Sequence, residues 1–311
     1  MGKRVLVFGS YVTDLCGRAN QFPKAGETVK GHYFKHGPGG KGSNQAVAAK
    51  RADADLVFIT KLGDDFFGKQ ALEFYQAEGI STDNILIDSE AATGAALIIV
   101  DETTSQNQIV VIGGACENFT DADMPIILKQ IEQADILLIQ LETNMEPIRA
   151  ALKHAKNHGL LTVLNPAPAQ TIDAELYHFV DIITPNETEA EILTGINVTD
   201  KNSAQKAAHG LLDKGVKKVI ITLGEQGAFA CDNNSQRMFG AVSFGPVIDT
   251  TGAGDAFSGG LAAALADGLD FFEAVEYAGV VAGISVTRHG TAPAMPYRSE
   301  IEAALAQRKD D

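Results

Sequence analysis

Val180-Asp181-Ile182-Ile183-Thr184-Pro185-Asn186-Glu187-Thr188-Glu189 is the stretch on which the fold turns. Val180–Thr184 is a short, mostly apolar run closed by proline, which reads as a buried strand. Asn186 then stands as a helix N-cap, with Glu189 three residues on, the spacing of a capping box. A helix over Glu187–Leu193 follows from that start, and a second over Ser203–Lys214. The Val/Ile-rich run Val219–Leu223 is the next strand. Strand, turn, helix and strand again make a βαβ unit.

The same rhythm extends outward in both directions. Strands are expected at Val5–Gly9, Leu56–Lys61, Ile136–Gln140 and Leu161–Leu164, with helices at Ser43–Arg51, Gly68–Glu78 and Pro147–His158. Two long helices close the chain, about Gly254–Ala266 and Phe272–Val286. This alternation predicts the α/β class, with a mostly parallel central sheet flanked by helices. The Val, Ile and Leu content of the strands fits burial on both faces. Two stretches break the rhythm. Asp14–His36 has no helical pattern, and Glu27–Phe34 reads as extended; Thr93–Asp101 and Gln106–Ile112 flank a polar turn, as in a hairpin. They predict a small separate β-sheet, a lid over the mouth of the main body. The chain then reads as one domain, 1–311, with lid segments about 12–36 and 93–113.

Composition excludes several classes. The 311 residues include 40 acidic and 25 basic side chains, a formal net charge of −15, and 45% are hydrophobic. Such a chain buries a large core and does not read as disordered. The acidic balance speaks against nucleic acid, which needs a basic footprint. No apolar run approaches the ~20 residues of a membrane helix. Met1–Phe8 is too short for a signal h-region. Cys16, Cys116 and Cys231 are far apart and make neither a disulfide framework nor a zinc site. The expectation is a reducing, cytoplasmic compartment.

Glycine, 31 residues, exceeds the usual ~7%. Gly37-Pro38-Gly39-Gly40-Lys41-Gly42-Ser43-Asn44 satisfies the dinucleotide fingerprint literally, but it does not close the first strand, which ends at Gly9-Ser10. An NAD-dependent dehydrogenase is therefore disfavoured. The cluster reads either as a helix start beside a polar ligand, with Lys41 and Asn44 donating to it, or as a glycine-rich turn capped by Asn44. In Asp249-Thr250-Thr251-Gly252-Ala253-Gly254-Asp255-Ala256-Phe257, the glycines let the chain turn into a helix whose N–H groups converge on an anion. Asp255, in the first turn, is placed either to favour the dipole or to act as a general base; the functional reading is preferred. Backbone donors beside a base suit phosphoryl transfer. Asn186 and Glu189 read as a cap, or as groups near nucleotide phosphates and Mg²⁺ waters. Thr222-Leu223-Gly224-Glu225-Gln226-Gly227 is a turn that would let a nucleotide lie against the backbone. Ten glycines, including Gly259 and Gly260, fall in or beside these segments. They read as backbone brought close to ligands.

Gly39-Gly40-Lys41-Gly42-Ser43-Asn44, Asn186-x-x-Glu189, Thr222-Leu223-Gly224-x-x-Gly227 and Asp249–Asp255, in that order, resemble the ribokinase family of carbohydrate kinases, the PfkB group. The likeness runs from Val5 to about Glu302. Asn165-Pro166-Ala167-Pro168-Ala169 and Ile182–Glu189 are similar to the ribokinase branch in particular. The resemblance implies a three-layer fold with a β-sheet lid, and a homodimer formed through the lids. It implies transfer of the ATP γ-phosphoryl to the 5-hydroxyl of a pentose, D-ribose first.

Residue by residue, Asp255 matches the general base, and Gly252, Ala253 and Gly254 the anion hole. Val12, Asp14, Gly40, Lys41, Gly42, Ser43, Asn44 and Glu142 match the sugar site. Asn186, Thr222, Leu223, Gly224, Glu225, Gln226, Gly227, Gly254 and Gly279 match the nucleotide site. Glu189 matches the magnesium-linked glutamate. Asp249, Thr251, Ser285, Arg288, Gly290 and Ala294 match the ligands of an activating monovalent cation, K⁺, several through carbonyls. Val12 departs from the pattern, which has Asn there; an apolar side chain cannot hydrogen-bond a hydroxyl, which raises 2-deoxyribose as a rival substrate. Gly279 departs too, where relatives carry Asn or His near the adenine. The same residues would also suit another small-sugar kinase or a nucleoside kinase. A non-catalytic sugar-binding regulator is the competing reading from a different class.

Overall fold

The computed structural model describes residues 2–104 and 106–310. Met1, Asp311 and, within the second of the expected lid segments, Ser105 lie outside the described residues. In chain order the elements begin with β1 (Arg4–Phe8), β2 (Val12–Ala19), β3 (Tyr33–Gly39), α1 (Lys41–Arg51), β4 (Asp55–Ile59), β5 (Lys61–Gly63), α2 (Phe66–Ala77) and β6 (Leu86–Asp88). Next come β7 (Thr93–Asp101), β8 (Asn107–Gly114), α3 (Met124–Ile131), β9 (Ile136–Ile139), α4 (Met145–Asn157), β10 (Leu161–Leu164) and β11 (Ile182–Ile183). The chain continues through α5 (Glu187–Thr194), α6 (Lys201–Asp213), β12 (Lys218–Thr222), β13 (Ala228–Asp232), β14 (Gln236–Phe239), α7 (Ala253–Ala266), α8 (Phe271–Ser285) and α9 (Arg298–Asp310).

The main sheet runs β14-β13-β12-β11-β10-β9-β1-β4. It is parallel from β12 to β4 and antiparallel at β13 and β14. Its strands bury both faces, and alternate residues divide between two cores. Val5, Val7, Ile136 and Leu138 pack with α1, α2, α7, α8 and α9. Leu6, Phe8, Leu137 and Ile139 pack with α3, α4, α5 and α6. This division explains why the strands read as continuous apolar runs. The result is the three-layer α/β arrangement.

A smaller sheet, β3-β2-β7-β8, stands apart from the main one. It grows from the end of β1 and returns through β3 into α1, as the broken rhythm of the sequence requires. The hairpin of β7 and β8 lies where it is expected. The first segment differs: regular strand begins only at Tyr33, because Lys24 and Glu27 close a turn and the chain pairs again with β2 after Gly31. α3 and α9 go beyond the sequence expectation. Met124-Pro125-Ile126-Ile127-Leu128 is a short apolar run of no clear period, and α9 is a mostly polar terminal segment. No helix among the described residues is long and apolar enough to cross a membrane.

Candidate active site

In an open α/β sheet, ligands bind outside the carboxyl ends of the strands where the strand order reverses. Here β1 lies between β9 and β4, both later in the chain. Beyond this edge opens a cavity of about 170 Å³, lined by Lys41, Asn165, Thr184, Asn186, Glu189, Thr222, Thr250, Gly252, Ala253, Gly254, Asp255 and Ser258. Five separate segments of the sequence converge there.

Gly252 adopts a left-handed conformation, φ +79°, and α7 begins at the next residue. A side chain at Gly252 would be strained and would press on Thr291 at 3.3 Å. The Ala253 N–H donates to the Thr250 carbonyl at 3.2 Å. The N–H groups of Gly254 and Asp255 have no protein partner among the described residues. The positive end of α7 therefore meets the cavity with free donors, a setting for an anion.

Asp255 is 6% exposed and is held from both sides. Asn44 Nδ2 donates to its Oδ2 at 2.9 Å, and Gln45 Nε2 donates to its Oδ1 at 2.9 Å. Gln45 also donates to Asn165 Oδ1 (3.0 Å) and accepts from Gln140 Nε2 (2.7 Å), while Asn165 donates to the Thr184 carbonyl (3.1 Å). Burial raises the Asp255 carboxyl above the ordinary range, against the Lys41 ammonium and the two amide donors. Burial also acts on Lys41, downward, but the carboxylates of Asp255, Glu142 and Glu189 outweigh it and hold the ammonium above the ordinary lysine range. The site thus keeps a half-buried cation beside a carboxylate made more basic than usual.

Asn44 does not cap α1. Glu142 does that work, accepting from the Lys41 N–H at 2.8 Å and from the Ser10 hydroxyl. Asn44 Oδ1 is left buried with no hydrogen-bond donor among the described residues. A ligand hydroxyl would satisfy it. Asp14, on β2, is pushed up to about 6, first by burial and then by Glu142 and Asp255. Asp14, Lys41, Asn44, Glu142 and Asp255 form one electrostatic cluster. Ser43 and Gly42, also of the expected sugar site, face elsewhere. Ser43 is fully buried and accepts from the Tyr75 hydroxyl at 2.9 Å, and Gly42 packs against the backbone of Gly9 and Ser10. Val12 is buried in a small apolar cluster with Ala96, Cys116 and Ile98.

Asn186 and Glu189 make a full capping box, with Asn186 Oδ1 accepting from the Glu189 N–H (2.8 Å) and Glu189 Oε2 accepting from the Asn186 N–H (2.9 Å). They also line the cavity, so the cap and the proposed ligand role coexist in one pair. Burial raises the Glu189 carboxyl. At the end of β12, Thr222 borders the cavity and Leu223 closes the turn on the Gly227 carbonyl at 2.8 Å; Gly224, Glu225 and Gln226 form a tight helical turn. A side chain built at Gly279 meets open space.

Asp249 accepts from the N–H groups of Thr251 (2.9 Å) and Gly290 (3.0 Å), tying the two expected cation segments together. Burial pushes its carboxyl up, and these bonds outweigh that and hold it below the ordinary range. Arg288 pairs with Glu300, and Ser285 donates to the Ala282 carbonyl, so their side chains are engaged elsewhere. The Ala294 N–H donates to the Thr291 carbonyl at 3.0 Å.

Sequence reasoning did not single out Ser10, Gln45 or Gln140. Gln45 carried a signal: an amide directly after Asn44 in an alanine-rich helix needs a buried partner. Gly259 and Gly260 correct the expectation that they approach a ligand. A Cβ on Gly259 would lie 2.5 Å from the Gln45 carbonyl of α1, and one on Gly260 2.8 Å from Val281 of α8. Both serve helix packing.

A profile described as pfkB family carbohydrate kinase matches residues 3–298. The chain is 43% identical to the ribokinase of Haemophilus influenzae, over 96% of this chain and 97% of that one. It is 36% identical to the deoxyribokinase of Salmonella typhi, over 94% and 95%. Among solved structures, ribokinase of Arabidopsis thaliana complexed with ribose and ATP superposes with a TM-score of 0.90 at 29% identity, covering 98% of this chain and 99% of that one. With sequence, fold and the convergence of segments at one cleft in agreement, the chain belongs to the pfkB family of carbohydrate kinases.

Proposed function

We propose that this chain is an ATP-dependent sugar kinase that transfers the γ-phosphoryl group to the 5-hydroxyl of D-ribose. The observation that carries the reading is Asp255: a buried carboxylate, fixed by two amides, in the first turn of a helix whose free donors face a cavity. The ribokinase relatives supply the sugar. Asp14, Lys41, Asn44 and Glu142 hold the sugar hydroxyls, and the unmet Asn44 Oδ1 accepts one of them. The small sheet closes as a lid and excludes water, which limits ATP hydrolysis. Asp255 takes the proton of the 5-hydroxyl as its oxygen attacks the γ-phosphorus. The O–P bond to the sugar forms, and the bond to the ADP oxygen breaks. The Gly254 and Asp255 N–H groups, with Lys41, stabilise the charge on the moving phosphoryl.

Asn186, Gly254 and the Thr222–Gly227 turn hold the nucleotide, with Gly279 leaving room beside it. Mg²⁺ would enter with ATP. Both Glu189 oxygens are already bonded to Asn186, so this carboxylate fits a link through the ion's waters. For K⁺, a carboxylate held below its ordinary range (Asp249), with Thr251, Ser285, Arg288, Gly290 and Ala294, fits, several of them through carbonyls. Bound there, the cation would add positive charge behind the anion-binding turn. A homodimer through the lids and a cytoplasmic location complete the proposal.

Val12 favours a second reading, since its buried apolar side chain offers nothing to a 2-hydroxyl; 2-deoxyribose is then also a substrate. Asp255→Asn tests the assignment. Turnover should fall by about 10²–10⁴-fold while ATP binding by calorimetry stays near that of the parent. Near-normal turnover would remove Asp255 as the base. A non-catalytic regulator would show no sugar-dependent ADP release in the parent protein.

A further inference from the structure

We propose that Glu132, His154 and His158 form a binding site for a borderline transition-metal cation, Zn²⁺ being the probe, which clips α3 to α4 at the end of the sheet opposite the kinase site. The ligand atoms of the three residues all lie within 4.8 Å of one another. His154 Nε2 is 3.1 Å from Glu132 Oε1, and His158 Nε2 is 3.9 Å from the same oxygen. Zinc bonds of ~2.0–2.2 Å in a tetrahedral shell put ligand atoms about 3.4 Å apart, so small rotations about the side-chain torsions bring these atoms to one ion.

Two independent features point the same way. The first is the orientation of His158. Its Nδ1 lies 2.9 Å from the His154 carbonyl, a contact only a protonated Nδ1 makes as a hydrogen bond. In the neutral imidazole Nε2, which faces Glu132, is then the lone-pair nitrogen. Metal-binding histidines are held in this way, by a bond from the other ring nitrogen to a carbonyl. The second is the pair of helix ends. Glu132 is the C-terminal cap of α3 and His158 that of α4, with His154 in the last turn of α4. Both ends carry the negative pole of a helix dipole, and together they favour a cation. The two helices lead into β9 and β10, so the cluster sits at the amino ends of those strands, opposite the cavity. Two imidazoles and one carboxylate select Zn²⁺, Co²⁺ or Ni²⁺ over Mg²⁺ or Ca²⁺, which prefer all-oxygen shells. All three side chains are at least partly exposed, so an ion reaches them without unfolding.

The test is calorimetric titration of Zn²⁺ into the tag-free, chelator-treated full-length protein, with thermal melts in parallel. The parent should bind one ion in the micromolar range and gain several degrees in melting temperature at saturation. An excess of Mg²⁺ should displace none of it. His154→Ala and His158→Gln should each weaken the binding at least tenfold and lose the thermal gain, while ATP-dependent sugar phosphorylation stays at the parent level. The mild His158→Gln change keeps the surface polar, and the melt without metal checks that each variant folds. Unchanged Zn²⁺ affinity in both folded variants, or no Zn²⁺ binding by the parent, overturns the proposal. Displacement by Mg²⁺ at equal concentration also overturns it.

Discussion

Asp14 is costly to keep ionised. Its carboxyl, at about 6 against an ordinary 3.8, prefers its proton more in the fold than in the unfolded chain. The folded state therefore binds more protons than the unfolded one across this window, and stability falls as pH rises from about 4 to about 6. Asp14→Asn should remove that loss. Its melting temperature should exceed the parent's at pH 7.5, by the equivalent of about 1 kcal/mol or more, and the difference should vanish near pH 4. The same change should weaken sugar binding, since the variant lacks a charged acceptor. A melting temperature equal to or below the parent's at pH 7.5 would contradict the strain assigned to Asp14. The residue types at the site were legible in the sequence, because Gly-Ala-Gly-Asp and Asn-x-x-Glu are local patterns. The partners of Asp255 were not. Asn44 and Gln45 stand 211 and 210 positions away, and only the fold brings their amides to it.

At the scale of elements, the position of Asp255 depends on how closely α7 approaches α1. Gly259, one turn further along, is the contact. A methyl group there meets backbone in α1, which cannot yield as a side-chain end would. Gly259→Ala should push the helices apart, lengthen the Asn44 and Gln45 contacts to Asp255, and destabilise the fold by about 1–3 kcal/mol. The kinetic signature should be a lower kcat exceeding any change in the KM for ATP. Thermal melts and steady-state kinetics check it; an unaltered kcat would show that the packing does not set the base. Parallel strands and capped helices were legible because their periods and caps are local. The packing role of Gly259 and Gly260 was not, because a glycine beside a ligand and one beside a helix look the same in one dimension. The start of β3 escaped the sequence for a related reason: extended polar chain becomes strand only where a partner, here β2, is within reach.

On the scale of the whole molecule, the small sheet exposes apolar surface that a monomer would seldom leave bare. The pairing register puts Leu97, Val110 and Ile112 on the face opposite Asp14, and they are 46%, 59% and 49% exposed. Phe34, at 67%, joins them from β3. This is the face on which a second copy would sit. Val110→Asp combined with Leu97→Asp should convert a dimer into a monomer by light scattering at micromolar concentration; a parent that is already monomeric would rule out the lid interface. The net charge of −15 leaves the chemistry untouched, because the cavity keeps its own cation in Lys41 and its own donors at α7.

Ribose phosphorylation is measured most directly as sugar-dependent ADP release with ATP and Mg²⁺ in K⁺ buffer, with the product identified by NMR. The expected result is one ADP per sugar and phosphate on the 5-oxygen of ribose, with 2-deoxyribose as the second accepted pentose and fructose and adenosine far behind. ADP release that ignores ribose, or phosphate found on another ribose oxygen, would contradict it.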